Sequence, residues 1–437
     1  MKRSVALVLA MTLALGVFSL AGCTASTNTQ GGQAVADFGT YGPKLALELA
    51  NQFPNRSPGS DQEVAARDYL QKAFKDLGYK VTVQDFTFTT REGDTLPSSN
   101  LIVRIKGDGV KVTDAAGESK TERRQVIIGA HYDVGVTAEA AAAAAAEAEA
   151  IAASEAEAAA AAGTDATSET VETTAEIPEP TLADFDGIHA NASGVATLLT
   201  VARQLKHVDL DYDVLLVAFG AGTADQAGAK AFLNAALSAD DLAVTDAMYN
   251  IDGIYAGDEM YVHAGQNSVL PGNQKIYEKR RRLYEATDVF FENALYSNNG
   301  YNLNTNQSSL IIPFGDSGGT AVYREWTTHV SDHTPFDQAG IPIVFFESFD
   351  YDYKTLEEMK ESKNPALSST NGTIRDTRFD STDYLQYLFH SSATAVRSDD
   401  AKKNFKDRLE MRINNTAFII VEAVKRKDVD PTATKAG

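Results

Sequence analysis

The sequence predicts an α/β protein: a single large domain with a mostly parallel mixed β-sheet and helices on both faces. Three observations predict it. Short apolar runs, of the kind buried on both faces of a sheet, recur at Gln125–Ala130, Val214–Phe219 and Ile341–Phe346. Stretches with helical spacing of apolar residues alternate with them, which is the order a parallel sheet needs for its crossovers. The chain has 437 residues, 43% of them apolar, enough to bury a sizeable core.

Tyr41 to Phe53 reads as an amphipathic helix, and Asn55 to Ser60 as a turn. Ser60 is placed to cap a helix over Asp61 to Leu77, with Ala65, Ala66, Tyr69, Leu70 and Phe74 on one side, and Gly78 stops it. Lys80 to Phe88 alternates as a strand. Asn100 to Ile105 is a second, and Gln125 to Ala130 a third that ends at His131. Val195 to Leu205 is helical. The Val214–Phe219 strand is followed by a helix over Ala224 to Leu237. Met248 to Ile251 and Ile341 to Phe346 are the last strands, the latter preceded by a helical turn around Pro335 to Ala339. Ser381 to Val396 and Ala401 to Val424 read as closing helices.

Both ends of the charge scale carry information. Lys and Arg total 39 and Asp and Glu total 60, a formal net charge of −21. That balance argues against a nucleic-acid partner, which needs clustered cations. One cysteine excludes a disulfide framework and a Cys-rich zinc site. That cysteine, Cys23, ends Leu20-Ala21-Gly22-Cys23 behind a basic leader, Met1-Lys2-Arg3, and an apolar run, Val5 to Leu20, too short for a stable span. The pattern resembles the bacterial lipobox. It predicts a signal peptide over 1–22, an acylated Cys23 held in a lipid bilayer, and a flexible tether over 23–36. The expected location is the extracytoplasmic face of the cell membrane.

The folded domain is expected over 37–428, interrupted by a low-complexity insertion at 137–184. Between Thr137 and Asp186 there are 12 acidic residues and no Lys or Arg. Ala138 to Ala162 has the composition of a solvated helix without an apolar stripe, and Gly163 to Pro180 reads as disordered.

Five local stretches carry the chemistry. Gly129-Ala130-His131-Tyr132-Asp133 ends a strand, and Gly187-Ile188-His189-Ala190-Asn191-Ala192-Ser193-Gly194-Val195 opens a helix. Phe219-Gly220-Ala221 ends another strand. Asn250-Ile251-Asp252 follows, then Ser331-Asp332-His333 with Pro335-Phe336 and Gly340-Ile341-Pro342. In order and wording, from about Leu45 to the C-terminal helices, this resembles the di-zinc exopeptidases that include secreted bacterial aminopeptidases, glutamate carboxypeptidase and, more distantly, glutaminyl cyclase. The resemblance implies two metal ions that share a bridging carboxylate and lower the pKa of a bridging water. It implies a glutamate beside them as general base. The site would lie at the C-terminal ends of the strands.

Carried over position by position, the resemblance gives a dismantled site. His131 matches the first terminal ligand, and Asp133 the carboxylate that orients its imidazole. Asp252 matches a second ligand of the same metal. The bridging carboxylate falls on Ala190. The consecutive general base and ligand glutamates fall on Gly222 and Thr223. The last ligand, a histidine, falls on Gly372 in Gly372-Thr373-Ile374-Arg375-Asp376-Thr377, and the next histidine, His390, lies inside a predicted helix. Two protein ligands rarely hold zinc tightly, so the expected cofactor is none, or one zinc ion at most.

The surviving residues have plainer readings too. His131 and Asp133 form a hydrogen-bonded pair without a metal, and Asp252 pairs with His131. His189 is a candidate third nitrogen or a solvent-facing loop histidine. His333 fixes the loop around Pro335, while His207, His263 and His329 show no partner spacing. Asp225, three residues past the base position, fits a helix dipole or a substitute base. Lys279-Arg280-Arg281-Arg282, with Tyr277 and Tyr284, reads as a solvated helix face or a contact for anionic headgroups or an acidic partner.

The function expected is therefore that of a catalytically inactive, lipid-anchored pseudopeptidase, binding a peptide or protein at the old cleft or serving as a scaffold. A working metallo-exopeptidase that recruits His189, Asp225 or insertion carboxylates is the competing expectation. A solute-binding lipoprotein of a transporter is the third.

Overall fold

The computed structural model describes residue 35 and residues 38–113, 116–161, 179–268, 276–298, 301–307, 309–312, 319–322, 325–353, 355, 358–394 and 408–426. The leader, Cys23, nearly all of the 23–36 tether and most of the Gly163–Pro180 stretch lie outside the described residues.

Two helices open the domain, α1 (Tyr41–Gln52) and α2 (Asp61–Asp76), the second capped by the Ser60 hydroxyl, which accepts from the Glu63 amide at 3.0 Å. Strands β1 (Val81–Thr89) and β2 (Thr95–Ile105) follow. A small separate hairpin, β3 (Val110–Thr113) and β4 (Ser119–Glu122), precedes β5 (Gln125–His131). The Ala/Glu helix is α3 (Ala138–Ala161), and α4 (Ser193–Leu205) leads to β6 (Asp213–Phe219). Short helices α5 (Ala227–Ala231) and α6 (Ala239–Ala243) precede β7 (Thr245–Ile251) and β8 (Glu259–His263). Then come α7 (Ile276–Glu292), α8 (Leu295–Asn298), a second small hairpin of β9 (Ser309–Ile312) and β10 (Gly319–Val322), α9 (His333–Gln338) and β11 (Ile343–Phe349). Helices α10 (Thr382–Thr394) and α11 (Arg408–Lys425) complete the described chain.

The main sheet has seven strands in the order β1-β2-β6-β5-β7-β11-β8. Its centre is parallel: β6 and β7 flank β5, and β11 flanks β7. β2 runs against β6, and β1 against β2, so β1 points with the centre and five of the seven strands share one direction. β8 closes the far edge antiparallel to β11.

Every residue of β5 is buried, and the period of two sorts its side chains between two cores. Val126, Ile128 and Ala130 face the larger one, with residues of α1, α4, α7 and α11. Ile127 faces the smaller one, with Phe219, Phe232, Met248, Phe336 and Phe345. Helices therefore cover both faces, as the apolar runs require. The arrangement brings the ends of β5, β6, β7 and β11 to one edge.

Four details differ from the sequence reading. The second strand starts at Thr95, because its first half pairs with β1 out to Thr89. The helix expected over Ala224–Leu237 is cut short. Asp225 and Gln226 sit at φ 55° and 53°, so regular helix begins only at Ala227 and passes into a wide turn at Phe232–Ala236. The basic run is not a solvated face. Arg280 pairs with Glu325 at 2.8 Å and Arg281 with Asp246 at 3.1 Å, while Arg282, 1% exposed, pairs with Glu285 at 2.7 Å and lies over the Tyr212 ring. The Ala/Glu helix lacks a stripe but has an anchor: Ala141 is buried with Val134, Val136 and Phe185.

Candidate functional site

The edge where the central strands end carries a ladder of alternating charges. His131 closes β5. Its Nδ1 lies 3.2 Å from the main-chain carbonyl of Asp133 and 3.5 Å from Asp133 Oδ1, and its Nε2 lies 3.4 Å from Asp252 Oδ1. Asp252 follows β7 directly. It accepts from Ser331 Oγ at 2.7 Å, and Arg375 Nη1 lies 3.2 and 3.1 Å from its two oxygens. Arg375 Nε reaches Glu361 Oε1 at 3.1 Å, and His189 Nε2 meets the same oxygen at 3.0 Å. His189 Nδ1 accepts from the Ala256 amide, so Nε2 carries the proton and donates. The ladder thus reads Asp133, His131, Asp252, Arg375, Glu361, His189.

Burial decides how these groups titrate. It disfavours the charged imidazolium of His131, but Asp252 and Asp133 outweigh it and raise the pKa. It disfavours the Asp252 carboxylate too, yet Arg375 and His131 hold that group well below the usual range. Glu361 is brought down to about 2, because His189 and Arg375 more than offset its burial. Asp332 behaves oppositely. It is 1% exposed, and neither carboxylate oxygen has a hydrogen-bond partner among the described residues. Burial pushes it up to about 7, with Asp133 and Asp252 adding to the effect and His131 opposing it.

The positions to which the resemblance assigns the missing ligands and base are hemmed in by their neighbours. Ala190 is buried, and its amide and that of His189 donate to Asp380 at 3.0 and 2.7 Å. Asp133 accepts from the amides of Gly222 and Thr223 at 2.7 and 2.9 Å and from Thr223 Oγ1 at 2.6 Å. These bonds draw the loop after β6 onto Asp133. A Cβ at Gly222 would stand 2.4 Å from His131 Cβ. Gly372 has φ +77°, and a Cβ there would stand 2.0 Å from the Ser362 carbonyl oxygen. Among the described residues no group of three or more His, Cys, Asp or Glu side chains is placed to hold a metal ion. The residues present do not fit a two-zinc centre: His131 and Asp252 are the donors left, and Asp252 already binds a side-chain cation.

The other histidines and acids fall as follows. His189 is not a solvent-facing loop histidine: it is fully buried, and both ring nitrogens are engaged. The Ala256 amide, in the turn after β7, meets one ring nitrogen and Glu361 the other. His333 starts α9 with its ring 4.4 Å from that of Phe345 on β11. His263 is buried with Nε2 3.1 Å from Glu347 Oε1, and His329 meets the other oxygen of the same carboxylate. His207 is exposed in a turn, and His390 lies within α10. Asp225 is exposed and pairs with Lys230 at 2.6 Å.

Sequence reasoning missed Arg375, Glu361, Asp380 and Arg56. Arg375 had a signal, a basic residue in the very stretch aligned with the lost histidine. Glu361 had none, since it lies where the wording departs from the family. Arg56 is fully buried and donates to the carbonyls of Phe53, Tyr132, Asp186 and Gly187, tying together the two loops that flank the insertion.

Comparison with known proteins agrees with this architecture. Residues 112–386 match Peptidase family M28. The alkaline phosphatase isozyme conversion protein of Escherichia coli (strain K12) is 23% identical over 352 residues, covering 79% of this chain and 83% of that protein. BSAP, a zinc aminopeptidase from Bacillus subtilis, is 13% identical with a TM-score of 0.52, covering 90% of this chain and 96% of that one. An Acidobacteriales bacterium glutaminyl cyclase is 16% identical with a TM-score of 0.50, covering 88% and 93%. Both structures share the fold.

Proposed function

The chain belongs to peptidase family M28, and from that membership we propose that it is a non-catalytic member that binds a peptide or protein at the former active-site cleft. The observation that carries this reading is the closure of the lost positions. Gly222 and Gly372 stand where the base and the last ligand belong, and neighbouring atoms leave no room there for a side chain. Without a base and a Lewis acid, several kcal/mol of transition-state stabilisation are missing. A name that refers to converting isozymes, as the E. coli relative bears, favours a protein over a small solute as the ligand. The leader and Cys23 support a lipid anchor at the extracytoplasmic membrane face, which would present the cleft to exported proteins.

The test is release of N-terminal residues from a mixed peptide library by the purified chain, with zinc supplied and with a chelator. No release in either condition is expected. Release that a chelator and His131→Ala both abolish would overturn the proposal. Metabolic labelling with palmitate, lost in Cys23→Ser, tests the anchor.

A further inference from the structure

We infer that Arg375 is the resident cation of this site, a tethered guanidinium that neutralises Asp252 where a metal centre would use a bound ion. Asp252 and Glu361 are each 2% exposed. Arg375 bridges them, with Nη1 on both oxygens of Asp252 and Nε on Glu361. The backbone fixes the bridge from below. The amides of Ile374 and Arg375 both donate to Glu361 Oε2, so the side chain leaves a main chain already locked to one of its two partners. Opposite, Gly253 follows Asp252 with φ +62°, and a Cβ there would stand 2.6 Å from Arg375 Nη2. The positive φ suits glycine there, and the guanidinium packs against its bare Cα.

The position in sequence fits the same account. Arg375 comes three residues after Gly372, the site of the lost histidine, so one short loop gave up a metal-binding side chain and supplies a cation instead. A planar guanidinium can satisfy two carboxylates at once, which the point charge of a lysine does less well. Removing it would take the guanidinium from two buried carboxylates, leaving Asp252 with His131 and Ser331 and Glu361 with His189 and two amides. With the guanidinium gone, Asp252, Glu361 and His131 can close on a small divalent cation, which they are not placed to hold while Arg375 stands between them. The inference depends on the Arg375 contacts and not on any ligand of the cleft, so a chain that binds no peptide leaves it standing.

Thermal melting of the full chain tests it, with zinc ion alone as the probe. Wild type, Arg375→Ala, Arg375→Lys and the double variant Arg375→Ala/Asp252→Asn are each melted in chelator and in zinc. The wild-type Tm is expected to be the same in both. Arg375→Ala is expected to melt lower in chelator and to rise by ~5 °C at a hundredfold excess of zinc over its dissociation constant. Arg375→Lys keeps the cation and shows a smaller loss and no zinc response. The double variant regains part of the lost stability and does not respond to zinc. A wild-type Tm lowered by chelator, or an Arg375→Ala variant no more zinc-responsive than wild type, overturns the inference. If Arg375→Ala does not fold, the double variant decides: folding restored by Asp252→Asn supports the inference, and no restoration overturns it.

Discussion

Replacing Asp332 by asparagine should flatten the pH dependence of stability. The carboxyl is buried, lacks partners among the described residues, and is raised from its ordinary 3.8 to about 7. It therefore holds its proton more tightly in the folded chain than in the unfolded one. The sign follows: its stabilising contribution is complete below pH 3.8 and is lost as pH rises through 7. A gap of about 3 pH units, at 1.36 kcal/mol each, amounts to about 4 kcal/mol once both states are ionised. Glu63 and Asp380, also pushed up to about 7 by burial, contribute slopes of the same sign and remain in the variant. Urea unfolding from pH 5 to pH 8 should thus fall less steeply for Asp332→Asn than for wild type. The difference between the two should grow by about 3 kcal/mol across that range. Parallel curves would refute the reasoning. They would mean that Asp332 is ionised in the folded chain, as it would be beside a divalent cation at His131 and Asp252.

Two further variants test how the site is held. Arg56→Ala removes a buried cation with four main-chain acceptors and should cost about 3–5 kcal/mol in urea unfolding. It should also speed limited proteolysis between Thr137 and Asp186, and wild-type stability in this variant would refute the assigned role. Gly222→Glu places a side chain against His131 and should lower stability by about 1–3 kcal/mol without conferring release of N-terminal residues. Gain of that activity would show that the loop after β6 opens readily.

Much of the architecture was legible in the residues themselves. Gln125–His131 and Val214–Phe219 announce central strands, because strands covered on both faces must be apolar throughout. Ser60 announced its helix through capping chemistry that acts within three residues. The gaps fall where long-range contacts decide. β8 is too short and too polar at its start to stand out, and it is a strand because β11 pairs with it. The Arg280–Arg282 run has the composition of a solvated face, yet it is partnered by Asp246 and Glu325 from elsewhere in the domain and by Glu285 one turn on in its own helix.

The site divides the same way. Sequence by itself determined which side chains stand at the positions that the resemblance assigns to ligands and base: a methyl group at Ala190, a hydrogen at Gly222 and Gly372, and a hydroxyl at Thr223. Only the tertiary structure decided which groups stand around them. Arg375 lies 123 positions from Asp252 along the chain, and Glu361 lies 172 from His189. Which carboxylate meets which donor depends on how the ends of β5 and β7 and the loop around Arg375 converge. Side-chain charges interact over a few ångströms in space, and their separation along the sequence carries no record of that distance.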